Sequence, residues 1–298
     1  MTPSPTPLSD ANPVETPSGK DLVETPSGKD EGYENFPVGS FLLPAALRPH
    51  IATFYHFARA ADDIADNPAL SPDDKIQRLD GFEAALKGEN DSAAYAKASA
   101  MRRSLDNSGV TPQHCIDLLA AFKQDAVKPR YDDWDDLMAY CALSAAPVGR
   151  YLIDLHGGST NGYRPSDALC AALQVINHLQ DARDDLIEMD RVYIPEPWLV
   201  EAGGTVDVLK DRRCSLPVRA VFDRCLGGVD ALLVEARALP GGVRSFRLGL
   251  ESGAIIRIAE ALSKKLRAQD PLAGRVGLTK PGYLICCLIG AAKAALGR

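Results

Sequence analysis

The chain has 298 residues, of which 46% are hydrophobic, and a formal net charge of −7. This length and apolar content suffice for a large core and exclude an intrinsically disordered chain. The acidic balance disfavours nucleic acid as a partner, because nucleic-acid-binding domains carry basic patches.

The cysteine pattern and the N-terminus bear on the cellular compartment. Seven cysteines lie mostly among apolar residues and lack the paired spacing of a metal site, so we interpret them as reduced core residues. No apolar run stands at the N-terminus, and we expect no secretory signal. A cytoplasmic protein is therefore expected.

Residues 1–31 are rich in Pro, Ser, Thr, Asp and Glu and contain a nine-residue unit twice in succession, at 14–22 and 23–31. Two copies of a short polar unit cannot stack into a repeat fold. We predict a disordered tail at 1–31, followed by a single domain over 32–298.

The remaining sequence predicts helices in almost every segment. In chain order we expect them at about 48–66, 71–86, 93–108, 111–127, from 137 through a kink at 147–149, from 165 to an extended exit at 191–195, and at 203–211, 217–238, 243–267 and 283–296. There is no alternating segment of useful length and no glycine fingerprint after a strand, so the pattern indicates an all-α protein. The small residues around the kink make room either for a ligand or for a neighbouring helix.

One acidic stretch lies at residues 55–66. In a helix, Tyr55, Arg59, Asp62 or Asp63, and Asp66 recur at i, i+4, i+7 or i+8, and i+11, and therefore share a face. Carboxylates one turn apart repel each other by a few tenths of a kcal/mol. We infer that this face holds a cation.

A second acidic stretch, at 174–185, repeats the pattern. Asn177, Asp181 and Asp184 or Asp185 lie at i, i+4 and i+7 or i+8. Both stretches are flanked by Leu, Ile and Ala that should be buried, and burying carboxylates without a counter-charge is costly. The pair of matching faces favours a cation site over two solvated stripes.

Carboxylate and amide oxygens without His or Cys favour Mg²⁺ or Mn²⁺. Since Mg²⁺ readily takes phosphate oxygens as further ligands, such a site suits a diphosphate substrate, whose departure the metal would assist as a Lewis acid. Arg59 is positioned to bind the same diphosphate.

Two alternatives to a magnesium enzyme stay open. One is a di-iron bundle, which is disfavoured because no histidine has Glu three residues before it. The other is a non-catalytic metal-binding helical scaffold.

Through these two acidic stretches and their flanking residues, the chain resembles the squalene/phytoene synthase family over about residues 33–267. The family's first motif, Tyr-x-x-x-Arg followed by an acidic run, matches Tyr55, Arg59, Asp62, Asp63 and Asp66. Its second motif, Gln-x-x-Asn-x-x-x-Asp-x-x-x-Asp with an Arg-x-Tyr-x-Pro exit, matches Gln174, Asn177, Asp181, Asp185, Arg191, Tyr193 and Pro195. A tyrosine on a small-residue helix with Val-Gly downstream matches Tyr140, Val148 and Gly149.

The resemblance implies an isoprenoid synthase fold, a helical bundle around a central apolar cavity. It implies two or three Mg²⁺ ions with the diphosphate, on Asp62, Asp63, Asp66, Asn177, Asp181 and Asp185. The implied catalytic residues are Tyr140, Arg59 and Tyr55. The implied substrate-binding residues are Asn35, Phe36, Tyr55, Arg59, Gln174, Gln180, Arg191 and Tyr193. Carbocation chemistry needs apolar walls and π-faces, for which the candidates are Phe36, Phe41, Phe57 and Tyr140.

Within the family, the segments 34–40 and 144–150 resemble the bacterial hydroxysqualene synthase branch of hopanoid biosynthesis. Gln180 stands where many relatives have Arg, and no aromatic residue lies around Ile255. The resemblance thus implies a lyase that ionises presqualene diphosphate and traps the cation with water, without NADPH. Ser40, Ser144 and Tyr140 are candidates to hold that water. The alternative is a synthase that condenses two prenyl diphosphates, such as farnesyl diphosphate, to presqualene diphosphate, (dehydro)squalene or phytoene.

The C-terminal apolar segment is too short to cross a bilayer, since its uncharged part covers only 283–292. We expect a buried terminal helix rather than an interfacial anchor. Peripheral contact with the inner membrane face remains an open alternative, and the sequence does not indicate an oligomeric state.

Overall fold

The structure is a computed structural model that describes residues 23–25 and 43–297. Twelve α-helices lie in this part of the chain: α1 Arg48–Ala65, α2 Pro72–Lys87, α3 Ala96–Ser108, α4 Gln113–Asp125, α5 Trp134–Ser144, α6 Ala146–Leu155, α7 Tyr163–Met189, α8 Glu196–Glu201, α9 Leu216–Ala236, α10 Leu239–Gly242, α11 Phe246–Ala268 and α12 Lys280–Leu296. Among the described residues there is no β-strand, only a parallel bridge between Arg130 and Val192. The all-α prediction is confirmed.

Helix ends follow local chemistry. Ser71 caps α2 by accepting a hydrogen bond from the Asp74 amide, and Gly88 ends that helix at a φ of +84°, where a side chain would be strained. Asp133 caps α5 in the same way through the Asp136 amide.

Two predicted helices differ from the structure. The helix expected from 137 is two helices, α5 and α6, which meet at Ala145 because Pro147 can stand only in a first turn. The helix expected at 203–211 is wrong: α8 ends before Gly203, which has a φ of +82°, and a 3₁₀ turn follows at Val206–Lys210. The glycine disfavours a continuous helix there.

Gly149 decides between the two roles left open for the small residues. A Cβ atom at this position would lie 2.1 Å from the Ser166 hydroxyl oxygen. Its absence lets α6 approach α7 closely, so the glycine serves helix packing.

The core packs α1 against α2, α3 and α4, while α7 packs against α5, α6, α9 and α11. Phe57, expected at a cavity wall, is fully buried against Phe82 of α2.

The prediction of a buried terminal helix is wrong. Only Cys286, Gly290 and Ala294 of α12 are buried, against α11, where Gly253 and Gly290 bring the two backbones into contact. The helix leaves large apolar side chains exposed: Leu284, Ile285, Leu288, Ile289 and Leu296. No helix within residues 43–297 is long and apolar enough to span a membrane.

Part of the repeat segment contacts the folded helices. The Val23 carbonyl accepts a hydrogen bond from Arg78 of α2, and the buried Glu24 carboxylate lies 3.0 Å from the Lys97 ammonium of α3. Thus residues 23–25, which we predicted to be disordered, pack against α2 and α3. The rest of 1–31, and also Asn35, Phe36, Ser40 and Phe41, lie outside the described residues. The division into tail and domain stays a prediction.

Candidate active site

The first acidic stretch ends helix α1. Arg59 donates a hydrogen bond of 2.6 Å to Asp62, and Asp66 caps the helix one turn later. Asp62 and Asp66 are half-buried, whereas Asp63 is buried. Tyr55 places its hydroxyl in a buried position two turns before Asp62. The expected face therefore exists through Asp62, and Asp63 lies deeper.

The second stretch occupies the middle of α7. Asn177, Asp181 and Asp185 are half-buried, whereas Asp184 is exposed. The structure thus selects Asp185 as the third member of the face. Arg275, from the segment before α12, donates a hydrogen bond of 3.2 Å to Asp181.

The two glutamines of this stretch differ. Gln174 is half-buried. Gln180 is buried and donates to the Val276 carbonyl at 2.5 Å. Its amide therefore helps to fasten the 275–276 segment to α7.

Arg191 connects the segment after α7 to the end of the first stretch. Its guanidinium donates to Asp66 at 2.5 Å, to the Ala65 carbonyl at 2.7 Å and to the Asp125 carbonyl at 3.1 Å. This one buried cation therefore joins the exit of α7 to the ends of α1 and α4. Arg191 was expected to bind substrate, yet these three contacts are all with the protein.

A buried polar cluster around Asp125 lies beside this bridge, and the role of Asp125 was not predicted from the sequence. Asp125 accepts hydrogen bonds from the hydroxyls of Tyr140, at 2.8 Å, and Tyr193, at 3.1 Å. The His178 ring stacks on Tyr193 with centroids 3.7 Å apart. A signal was present, because an acidic residue in the last turn of a largely apolar helix opposes the helix dipole and needs a specific partner.

Burial dominates the titration behaviour of this cluster. It raises the pKa of Asp125 to about 6, against the opposing effect of Arg191. It raises the pKa of the Tyr140 and Tyr193 phenols well above their usual value, with the Asp125 charge adding to the effect. It lowers the pKa of His178 to about 3. At neutral pH the two phenols and the imidazole are therefore uncharged.

Carboxylates of both acidic stretches act on the same group. Asp185 of α7 and Asp66 at the end of α1 each contribute to the raised pKa of Tyr193. Both stretches therefore act on the pKa of one phenol.

The buried polar atoms that have no hydrogen-bond partner in the described part of the chain include Oγ of Ser144 and Nε2 of His178. Ser144 follows Tyr140 by one turn of α5, so both side chains lie on the same face of that helix. Such atoms are the ones that a water molecule would satisfy.

The chemistry of the donors fits Mg²⁺, although the carboxylates do not form a closed cage. In the described residues no group of three or more His, Cys, Asp or Glu side chains is arranged to hold a metal. Instead, Asp62, Asp66 and Asp181 each contact an arginine. Mg²⁺ commonly binds one or two protein carboxylates and completes its shell with water and substrate phosphates. The oxygen donors here suit that mode.

Comparisons with known proteins give a consistent picture. The model of the family described as squalene/phytoene synthase matches residues 30–281. The hydroxysqualene synthase of Sinorhizobium fredii is 40% identical over 89% of this chain and 91% of its own length. That of Zymomonas mobilis is 41% identical over 87% of both chains. The crystal structure of a squalene synthase from Alicyclobacillus acidocaldarius superposes with a TM-score of 0.68 at 32% identity, covering 78% of this chain and 87% of that one. The isoprenoid synthase fold is thereby confirmed.

Proposed function

The chain belongs to the squalene/phytoene synthase family, and we propose that it converts presqualene diphosphate into hydroxysqualene. The observation that carries this proposal is the identity of about 40% with hydroxysqualene synthases along nearly the whole chain. In this reaction the carbon–oxygen bond to diphosphate breaks, with its electron pair leaving on the diphosphate. A water oxygen then bonds to the rearranged carbocation and releases a proton. No reduction occurs, so no NADPH is needed.

The charged residues of the two acidic stretches would assist the departure of diphosphate. Bound Mg²⁺ would be held by Asp62, Asp66, Asn177, Asp181 and Asp185 and would neutralise the negative charge of the leaving group. Arg59 lies at the same end of α1 as Asp62 and can bind a diphosphate oxygen. Arg191 keeps Asp66 in place through a bridge between a buried guanidinium and a half-buried carboxylate.

The aromatic cluster suits a carbocation. Rings of Tyr140 and Tyr193 stabilise positive charge through their π-faces. Because the pKa values of both phenols are raised, neither forms the phenolate that would capture the cation as a nucleophile. Hydrogen bonds to Asp125 hold both hydroxyls in place.

Capture by water needs a polar group that is not already occupied. Ser144 meets that need, since its buried hydroxyl oxygen makes no hydrogen bond within the described part of the chain. Its place one turn from Tyr140 would set a water beside the aromatic cluster. Ser144 is therefore our proposed water-holding residue.

Product analysis with Mg²⁺ tests the proposal. The full chain is incubated with either presqualene diphosphate or farnesyl diphosphate as the sole substrate, in water enriched in ¹⁸O. We expect a labelled C30 alcohol from the first and no turnover of the second. The second candidate function, condensation of two prenyl diphosphates, is favoured by the structural likeness to a protein named squalene synthase. Consumption of farnesyl diphosphate alone would establish that candidate and refute ours.

A further inference from the structure

Helix α12 presents an uninterrupted apolar sector to solvent. At about 100° per residue, one arc of about 140° contains only apolar residues: Pro281, Leu284, Ile285, Leu288, Ile289, Ala292, Ala295 and Leu296. All eight are exposed. The opposite side of the helix carries Cys286, Gly290 and Ala294 and packs against α11. Only the apolar sector is thus available to a partner.

Two lysines border this sector. On the same helical projection, Lys280 lies about 40° beyond one edge and Lys293 about 40° beyond the other. Both are exposed, and neither forms an ion pair with a described residue. Lysines at both edges of an apolar arc can keep their ammonium groups at the polar boundary while the arc is buried.

The C-terminal segment that contains α12 is positively charged, like the two lysines. Residues 271–298 contain four basic residues and no Asp or Glu, although the chain as a whole carries a net charge of −7. A surface that approaches this face therefore meets the two bordering lysines and no carboxylate of this segment. The partner that complements it is anionic.

We propose that the exposed face of α12 docks in the plane of a lipid bilayer that carries anionic head groups. The apolar arc enters the boundary between head groups and acyl chains, and the bordering lysines reach the head groups. This inference rests on α12 and its neighbours alone and does not depend on the reaction proposed above.

Co-sedimentation with vesicles tests the proposal. The full chain is mixed with vesicles of phosphatidylcholine alone or of phosphatidylcholine with 30% phosphatidylglycerol. We expect stronger binding to the anionic vesicles, and weaker binding as salt is added. Lys293→Glu should weaken it about 25-fold, because each positive charge near an anionic surface contributes about fivefold. Arg103→Glu, an exposed position on α3, should bind as the wild type does.

The apolar contribution has its own matched pair. Leu288 of α12 and Val234 of α9 are 64% and 63% exposed. Leu288→Asp should weaken vesicle binding at least tenfold, whereas Val234→Asp should not change it, with unaltered melting temperatures for both. Failure of the wild type to bind anionic vesicles would overturn the proposal, as would equal binding by the Leu288 variant. A dimer in solution that Leu288→Asp converts to a monomer would overturn it too, since a second copy would then cover the face.

Discussion

One guanidinium nitrogen of Arg191 lies 2.5 Å from a carboxylate oxygen of Asp66, although the two residues are 125 positions apart. The same guanidinium also holds backbone carbonyls at the ends of α1 and α4. One buried cation therefore joins the segment that follows α7 to the ends of α1 and α4. This makes Arg191 a supporting residue of the site as much as a candidate ligand for the diphosphate.

Arg191→Met should destabilise the protein. The variant leaves the Asp66 carboxylate without its counter-charge and leaves two backbone carbonyls without this donor, and breaking a buried ion pair costs about 3–5 kcal/mol. Unfolding in urea measures the loss. Arg164→Met serves as the control, because Arg164 is almost fully exposed in its pair with Glu235 and should cost less than about 1 kcal/mol. Equal losses in the two variants would contradict the bridging role.

Asp62→Ala and Asp181→Ala should each abolish most turnover while leaving the fold intact. Both carboxylates are half-buried and belong to the residues proposed to hold Mg²⁺. Loss of one preorganised electrostatic group lowers turnover by about a hundredfold or more. Steady-state assays with presqualene diphosphate and Mg²⁺ measure the effect. Asp184→Ala is the matched control on α7, since that carboxylate is exposed beside Asp185. Normal turnover in the Asp62 variant would remove the basis of the metal assignment.

The sequence predicted what depends on periodicity. The face that joins Arg59 to Asp62, and the face of Asn177, Asp181 and Asp185, follow directly from the 3.6-residue repeat. The predicted start of α2, at 71, lies one residue before the observed start, whereas α5 begins at Trp134, three residues before the predicted 137. Such features are local, so the residue order already contains them.

The features that were not predicted from the sequence depend on packing between residues far apart in the chain. Asp125 gains its role from Tyr140, Tyr193 and Arg191, which approach it from other segments. Helix α12 looked like core because it is apolar, yet it packs against α11 through the side that carries Cys286, Gly290 and Ala294 and leaves its apolar sector exposed. Apolar composition alone does not distinguish a buried helix from one that docks elsewhere.

Ser144→Ala should change the product more than the rate. If this hydroxyl holds the capturing water, its removal leaves the ionisation step intact but lets the carbocation lose a proton, which gives hydrocarbon in place of alcohol. Gas chromatography of the C30 products measures the ratio, and we expect the alcohol share to fall at least tenfold. Ser108→Ala, in the last turn of α3 with its hydroxyl on the Leu105 carbonyl, is the control. An unchanged alcohol share in the Ser144 variant would assign the water to another residue.

His178 should make the protein sensitive to acid. Burial lowers the pKa of this imidazole from an ordinary value of 6.5 to about 3, and the Arg191 charge adds to the effect. Between these two values the unfolded chain binds a proton that the folded chain does not. The free energy of unfolding therefore falls as the pH drops below 6.5, by about 1.4 kcal/mol per pH unit.

His178→Phe should remove that contribution while a ring still stacks on Tyr193. Relative to the wild type, the variant should lose on the order of 3 kcal/mol less stability between pH 6.5 and pH 4, which urea unfolding across that range measures. The raised pKa of Asp125 acts in the opposite direction, but it is present in both proteins and largely cancels from the difference. His56→Phe, at an exposed position of α1, should follow the wild-type curve. Parallel curves for the His178 variant and the wild type would show that this histidine takes up its proton in the folded state.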